Sequence, residues 1–244
     1  MKLRTLSVLL ISVLLPAIAM AGKPTVHLTF DDGPNPNTTP RLLNLLKQRG
    51  IKATFFVTGA AANANPALLK RIVMEGHSLG NHTWNHPDLS RQSAAKVREE
   101  LAGTQWAVDT ALGVKDGKHF PMRLMRPPYG AKNQTVKDIV DSMLTPAGAA
   151  LQAKGKLPEG AGRTKLTLWN VDSNDWQKKG TAWTLGQVFP AVDGNAGDHK
   201  VLLMHDIHAT TVNEYAPAII DRLVNEGYKF ERLDKVKGYI GTPR

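Results

Sequence analysis

The sequence predicts an α/β fold built on a parallel sheet, and three observations carry that reading. Apolar strand-like runs alternate with amphipathic helical stretches along the chain. The residues with the most reactive side chains fall just after the strand-like runs, at the strand ends that carry the chemistry in closed parallel barrels. Residues 22–244 suit one large domain, with no linker or low-complexity segment to divide them.

The elements follow in order. Val26–Phe30, V-H-L-T-F, reads as a strand that runs into two aspartates, Asp31 and Asp32. Thr38–Arg49 reads as a helix, with leucines at 42, 43, 45 and 46 and Gly50 as its stop. Ala53–Thr58 is a second strand. Asn65-Pro66 starts a helix that ends at Gly76, because proline suits a first helical turn. His77–His82 is a short strand or extended loop. Ser90–Leu112 is the longest helix; Val97, Leu101, Thr104, Val108 and Ala111 keep the spacing of one face, and Gly113 ends it. Arg123–Met125 is strand-like, Asn133–Met143 helical, and Lys165–Val171 one strand. Lys200–Met204 is a strand ending at His205, followed by a helix over Asn213–Asn225 and a last strand near Tyr228–Leu233.

The first 21 residues stand apart. M-K-L-R is followed by a mostly apolar run from Leu6 to Ala19 and by Ala19-Met20-Ala21, a small-x-small site. This is the layout of a secretory signal peptide cut after Ala21. The run is shorter than the roughly 20 residues of a spanning helix and holds Pro16. The expectation is an exported protein, periplasmic or secreted, with no membrane anchor after cleavage. There is no cysteine, so neither disulfides nor cysteine-linked lipid contribute. The net charge of +10, two units of which come from Lys2 and Arg4, favours anionic polymers. The charges are scattered and no nucleic-acid motif accompanies them, so no nucleic-acid partner is expected.

Two constellations carry chemistry. In H-T-W-N-H, His82 and His86 can reach one metal ion, and Asp32 could complete a His2Asp face with open positions for water and substrate. One aspartate would then bind metal, while the other, left free beside it, could act as a general base. The alternative is an Asp-rich turn capping the next helix, since Asp-Gly and Pro are ordinary turn residues.

T-F-D-D-G-P, H-T-W-N-H, R-P-P-Y-G, D-S-N-D-W and L-M-H occur in this order between residues 29 and 205. Together they resemble the five motifs of the polysaccharide deacetylase family, the carbohydrate esterase family 4 group that shares the NodB homology domain. The resemblance implies a distorted (β/α) barrel of seven strands in a single catalytic domain, residues 22–244. It implies a divalent metal, usually Zn2+, with Co2+ and Ni2+ as alternatives. It also implies removal of acetyl groups from N-acetylglucosamine polymers or, less often, from O-acetylated xylan. Carried over, Asp32, His82 and His86 would hold the metal. Asp31 would be the general base, oriented by Arg126. His205 would be the general acid, held protonated by Asp175. The Tyr129 backbone N–H would help stabilise the oxyanion, and Trp176 and Leu203 would line the pocket for the acetyl methyl.

Amide hydrolysis needs an activated water, a stabilised oxyanion and a proton for the nitrogen, and these residue types supply all three. The leading expectation is therefore an N-deacetylase of glycans such as chitin oligosaccharides, peptidoglycan or poly-N-acetylglucosamine. The alternatives are an O-acetyl esterase and a carbohydrate-binding protein with an inactive site. His208, three residues after His205, is a rival acid or ligand. His27 reads as packed or hydrogen-bonded, and His77, His119 and His199 as solvated. Trp106 and Trp169 read as core, whereas Trp84, between the two ligand histidines, could stack on a sugar ring. The stretch from Leu144 to Arg163, rich in Gly, Pro and Ala, departs from the family pattern and reads as an inserted loop on either rim.

Overall fold

The computed structural model describes residues 23–143, 153, 163–194 and 199–236. The expected leader and most of the 144–163 stretch lie outside these. Seven strands run parallel: β1 (Thr25–Asp31), β2 (Thr54–Val57), β3 (Ser78–Asn81), β4 (Leu124–Met125), β5 (Lys165–Leu166), β6 (Val171–Asp172) and β7 (His199–His205). Their order across the sheet is β5-β4-β3-β2-β1-β7-β6, and the sheet curls into a partial barrel. A short β8 (Lys229–Phe230) pairs with the first two residues of β1.

Alternation along β1 divides its two faces. Val26, Leu28 and Phe30 pack outward with Leu42, Leu43 and Leu46 of α1 (Thr39–Gln48). Fully burying one such side chain stabilises the fold by about 1.5–3 kcal/mol. His27, Thr29 and Asp31 occupy the opposite face and are also buried. Each therefore needs a polar partner: His27 bonds to the Glu231 carbonyl and to His199, and the Thr29 hydroxyl to the Leu202 carbonyl.

Among the described residues the further α-helices are α2 (Gly59–Ala64), α3 (Pro66–Met74), α4 (Ala94–Leu112), α5 (Gln134–Ser142), α6 (Thr181–Gly194) and α7 (Ala216–Asn225). Side chains begin several of them. Thr58 caps α2, Ser93 caps α4 and Asn133 caps α5, each accepting from a backbone N–H three residues on. Gly113, at φ 70°, ends α4 in the left-handed region. No helix of the described residues is long and apolar enough to cross a membrane.

The structure corrects several expectations. The run 165–171 is not one strand. Lys165–Leu166 pairs with β4 at one edge of the sheet, and Val171–Asp172 pairs with β7 at the other. Residues 167–170 cross the seam between the edges, with Thr167 N–H on the Met125 carbonyl and Asn170 N–H on the Val201 carbonyl. Helix α2 escapes the periodicity because it is Gly, Ala and Asn throughout. Helix α6 escapes it because Gly186 and Pro190 interrupt the pattern, although Val188, Phe189 and Val192 bury its inner face. His77 is buried rather than solvated, and its Nδ1 accepts from Ala53 N–H. Trp106 is not core; it is 57% exposed. Trp84 is wedged between α2 and α4, where a Cβ on Gly59 would come within 2.4 Å of its ring. On either side of the 144–163 stretch, Thr164 N–H donates to the Met143 carbonyl at the amino end of β5. Met143 and Thr164, which flank it, therefore meet on the rim opposite the strands' carboxyl ends.

Candidate active site

The register of β1 and β7 sets Asp31 beside His205 at the carboxyl ends of the strands. In a regular strand the next residue, Asp32, would point to the other face. Its φ of 77° breaks the alternation, and both carboxylates line one cavity of about 480 Å³.

Asp31 is buried and paired. Arg126, at 0% exposure, donates from one terminal nitrogen to Asp31 Oδ1 at 2.7 Å and to the Thr29 hydroxyl at 2.8 Å. Its other terminal nitrogen donates to the Leu168 carbonyl at 3.0 Å. The guanidinium also stacks on Phe56, 4.1 Å from the ring centre. A planar, permanently charged group held by so many contacts fixes the carboxylate it bonds.

Asp32, His82 and His86 converge, and their donor atoms all lie within 4.8 Å of one another. Asp32 Oδ1 stands 3.3 Å from His82 Nε2 and 3.2 Å from His86 Nε2, and is buried without a conventional hydrogen-bond partner. The other nitrogen of His82, Nδ1, donates to the Arg126 carbonyl at 2.7 Å. That bond leaves Nε2 with its lone pair toward the cavity. Burial opposes the charge on Asp32, but the neighbouring histidines, His82 foremost, outweigh it and bring its pKa to about 2. Burial, reinforced by His82, lowers that of His86. An ionised carboxylate beside a neutral imidazole is the donor set that a divalent cation takes.

The histidine loop has its own support. Glu100, buried on α4, accepts from the backbone N–H groups of Trp84 and Asn85, both at 2.8 Å. The Asn81 side chain accepts from Thr83 N–H, and the Thr83 hydroxyl accepts from His86 N–H. Thr83 and His86 adopt left-handed conformations, at φ 67° and 60°.

Across the cavity, His205 Nδ1 donates to Asp175 Oδ1 at 2.7 Å. Asp175 Oδ2 accepts from His205 N–H and from the Thr211 hydroxyl, which pins the carboxylate in place. Burial works against a charge on His205, but Asp175 overrides it and raises the pKa to about 9. The pKa of Asp175 is correspondingly lowered; burial alone would raise it, and the bond to His205 wins.

Of the ten residues the motifs single out, Asp31, Asp32, His82, His86, Tyr129, Trp176, Leu203 and His205 line the cavity, while Arg126 and Asp175 stand directly behind it. Tyr129 (72% exposed) and Trp176 (57% exposed) lie at its open side. His208 also lines it, its ring 5.7 Å from that of His205. Trp169 is a wall residue rather than a core residue, with Nε1–H on Asp172 Oδ2. Asp172 and Asn174 complete that wall; they lie inside D-S-N-D-W, which could have pointed to them. Asp206 had no motif role. It is fully buried behind the aspartates, accepts from the Thr39 hydroxyl at 2.5 Å, and burial pushes its pKa up to about 7. It fills the space where Gly33 would carry a Cβ, so any larger residue after the two aspartates would displace the Asp206 carboxylate.

A family model described as polysaccharide deacetylase matches residues 19–145. The chain is 37% identical over 213 residues to the peptidoglycan-N-acetylglucosamine deacetylase PgdA of Listeria monocytogenes, covering 87% of this chain but only 39% of that protein. It is 36% identical over 187 residues to a chitooligosaccharide deacetylase of Bradyrhizobium sp. strain ANU 289, covering 77% of this chain and 73% of that one. A solved structure described as T48 deacetylase with substrate superposes with a TM-score of 0.68 at 32% identity, covering 87% of this chain and 89% of the other.

Proposed function

The chain belongs to the polysaccharide deacetylase family, and we propose that it is an exported, metal-dependent hydrolase that removes N-acetyl groups from N-acetylglucosamine-containing glycans. One observation carries the reading. The paired aspartates divide their roles: Asp32 joins two histidines, while Asp31 is held apart by Arg126 on the same cavity wall. The relatives named for peptidoglycan and for chitooligosaccharides support a glycan substrate, as do the two exposed aromatic rings at the cavity mouth. Export rests on the leader-like residues 1–21 and on the cell-wall polymer named for PgdA.

Asp32, His82 and His86 would hold the cation, Zn2+ or alternatively Co2+ or Ni2+. When bound, it would supply Lewis acidity toward water and the acetyl carbonyl. Asp31, immobilised by Arg126, takes the proton from the attacking water as the oxygen bonds to the acyl carbon. The Tyr129 N–H donates to the oxyanion that forms. His205, protonated up to about pH 9, delivers its proton to the departing nitrogen as the C–N bond breaks. Acetate and a free amine result. Trp176 and Leu203 enclose the methyl group and exclude longer acyl chains by size. Ester cleavage on acetylated xylan would use the same groups.

Acetate release from N-acetylglucosamine oligomers, measured before chelation, after it and after zinc repletion, tests the reading. Release that is lost on chelation and restored by zinc is expected. No release from oligomers or peptidoglycan, with release from acetylxylan, would move the assignment to an esterase. A metal-loaded protein that binds glycans and hydrolyses none would make it a binding protein.

A further inference from the structure

A second cavity, of about 350 Å³, adjoins the first and shares Tyr129, Trp169, Asp172 and Asn174 with it. Its size falls within the roughly 300–1,000 Å³ range of small-molecule sites. The shared wall is rigid. Trp169 is tied to Asp172 at 3.0 Å, backed by Arg126, and lies so near Gly130 that a Cβ there would come within 3.2 Å of the ring. Gly130 has a φ of 67° and holds that close approach. A fixed indole offers a face for a pyranose ring.

The charges of this cavity are unequal in their commitments. Both oxygens of Asp172 are engaged, one by Trp169 Nε1–H and one by Asn174 N–H at 2.8 Å. Asn170 uses its side chain on the Val201 N–H and the His199 carbonyl. Lys132, half-buried on the cavity wall, makes no ion pair or hydrogen bond among the described residues. It is the cation left over for a ligand.

We propose that this second cavity holds the sugar next to the one being deacetylated, and that Lys132 makes it favour a neighbour bearing a carboxylate, as the lactyl ether of N-acetylmuramic acid does. The inference rests on the deacetylase reading for the placement of the reacting sugar. The scattered positive charge of the chain acts in the same direction, concentrating an anionic strand near the surface.

Two tetrasaccharides test it: N-acetylchitotetraose, and the peptide-free alternating tetrasaccharide of N-acetylglucosamine and N-acetylmuramic acid. They share the β-1,4 backbone and the acetamido groups and differ in the lactyl ethers. Calorimetric binding and acetate release are both measured on the metal-loaded protein. The muramyl ligand should bind about fivefold more tightly, as one half-exposed ion pair allows, and less so at high salt. Lys132→Gln should remove that advantage and leave chitotetraose binding, turnover and melting temperature unchanged, while Lys132→Arg should keep it. Equal affinity of the wild type for both ligands, binding of neither, or loss of both together in Lys132→Gln would overturn the proposal. Acetate release without a Lys132-dependent preference would remove the subsite and leave the deacetylase. A Lys132-dependent preference without acetate release would do the reverse.

Discussion

Asp31 and Asp32 are neighbours in sequence with opposite surroundings. Asp31 bonds a guanidinium at 2.7 Å and stands 3.7 Å from His82, whereas Asp32 lies 3.3 and 3.2 Å from two imidazoles. Asp31→Asn should therefore keep full zinc stoichiometry while turnover falls by about 100- to 10,000-fold, the usual contribution of a general base. Metal analysis beside initial rates checks this, and unimpaired turnover would remove Asp31 from that role. His205 and Asp175 give a pH prediction. The pKa of His205 lies above its ordinary 6.5, at about 9, so the acid form persists through neutrality and activity declines as pH rises through about 9. The same pair stabilises the fold fully below pH 6.5 and ceases to do so as pH passes about 9. Asp175→Asn removes the group that outweighs burial, so the alkaline limb of kcat/KM should move to lower pH. An unmoved limb would assign it to another group.

At the scale of elements, the histidine loop depends on a helix that carries no motif. Glu100 of α4 receives two backbone N–H groups of the loop. Glu100→Ala should lower stability by about 1–3 kcal/mol, the cost of leaving buried donors unpaired, and should weaken zinc binding. Glu100→Gln, which keeps an acceptor oxygen, should lose less. Denaturant melts and zinc titrations separate the two effects. This support was hidden in the sequence, as were Thr29 behind Arg126 and Thr211 behind Asp175, because each acts on a residue far along the chain. The eight motif residues that line the cavity were legible because their types recur in a fixed order along the chain, whereas Asp172 and Asn174 on the same wall were not singled out. Strands β1 and β7 were legible to within a residue at each end, since β1 alternates apolar and polar residues and β7 is a continuous apolar run. The run at 165–171 was misread for a physical reason: a buried crossing between two sheet edges is as apolar as a strand. Trp169 was misread with it, since an aromatic ring on a cavity wall and one in a core look alike in sequence.

For the molecule as a whole, a cation held by Asp32, His82 and His86 would couple to the fold. Zinc at about 100 times its dissociation constant should stabilise the protein by about 2.7 kcal/mol, seen as a rise in melting temperature that chelation reverses. His82→Ala should abolish both the rise and the turnover; a shift that survives the substitution would place the bound ion elsewhere. The seam at residues 167–170 links the two halves more directly still. It carries the Leu168 carbonyl that receives Arg126 and the Trp169 ring that walls the cavity. Those four residues form a clasp that bonds the β4 edge through Thr167 N–H and the β7 edge through Asn170 N–H and the Asn170 side chain. If the clasp springs first on warming, Arg126 lets go of Asp31 while every helix is still wound. Heat should then stop acetate release at temperatures where the far-ultraviolet circular dichroism is unchanged. Activity and ellipticity that fade together would mean that the clasp is as strong as the barrel it fastens.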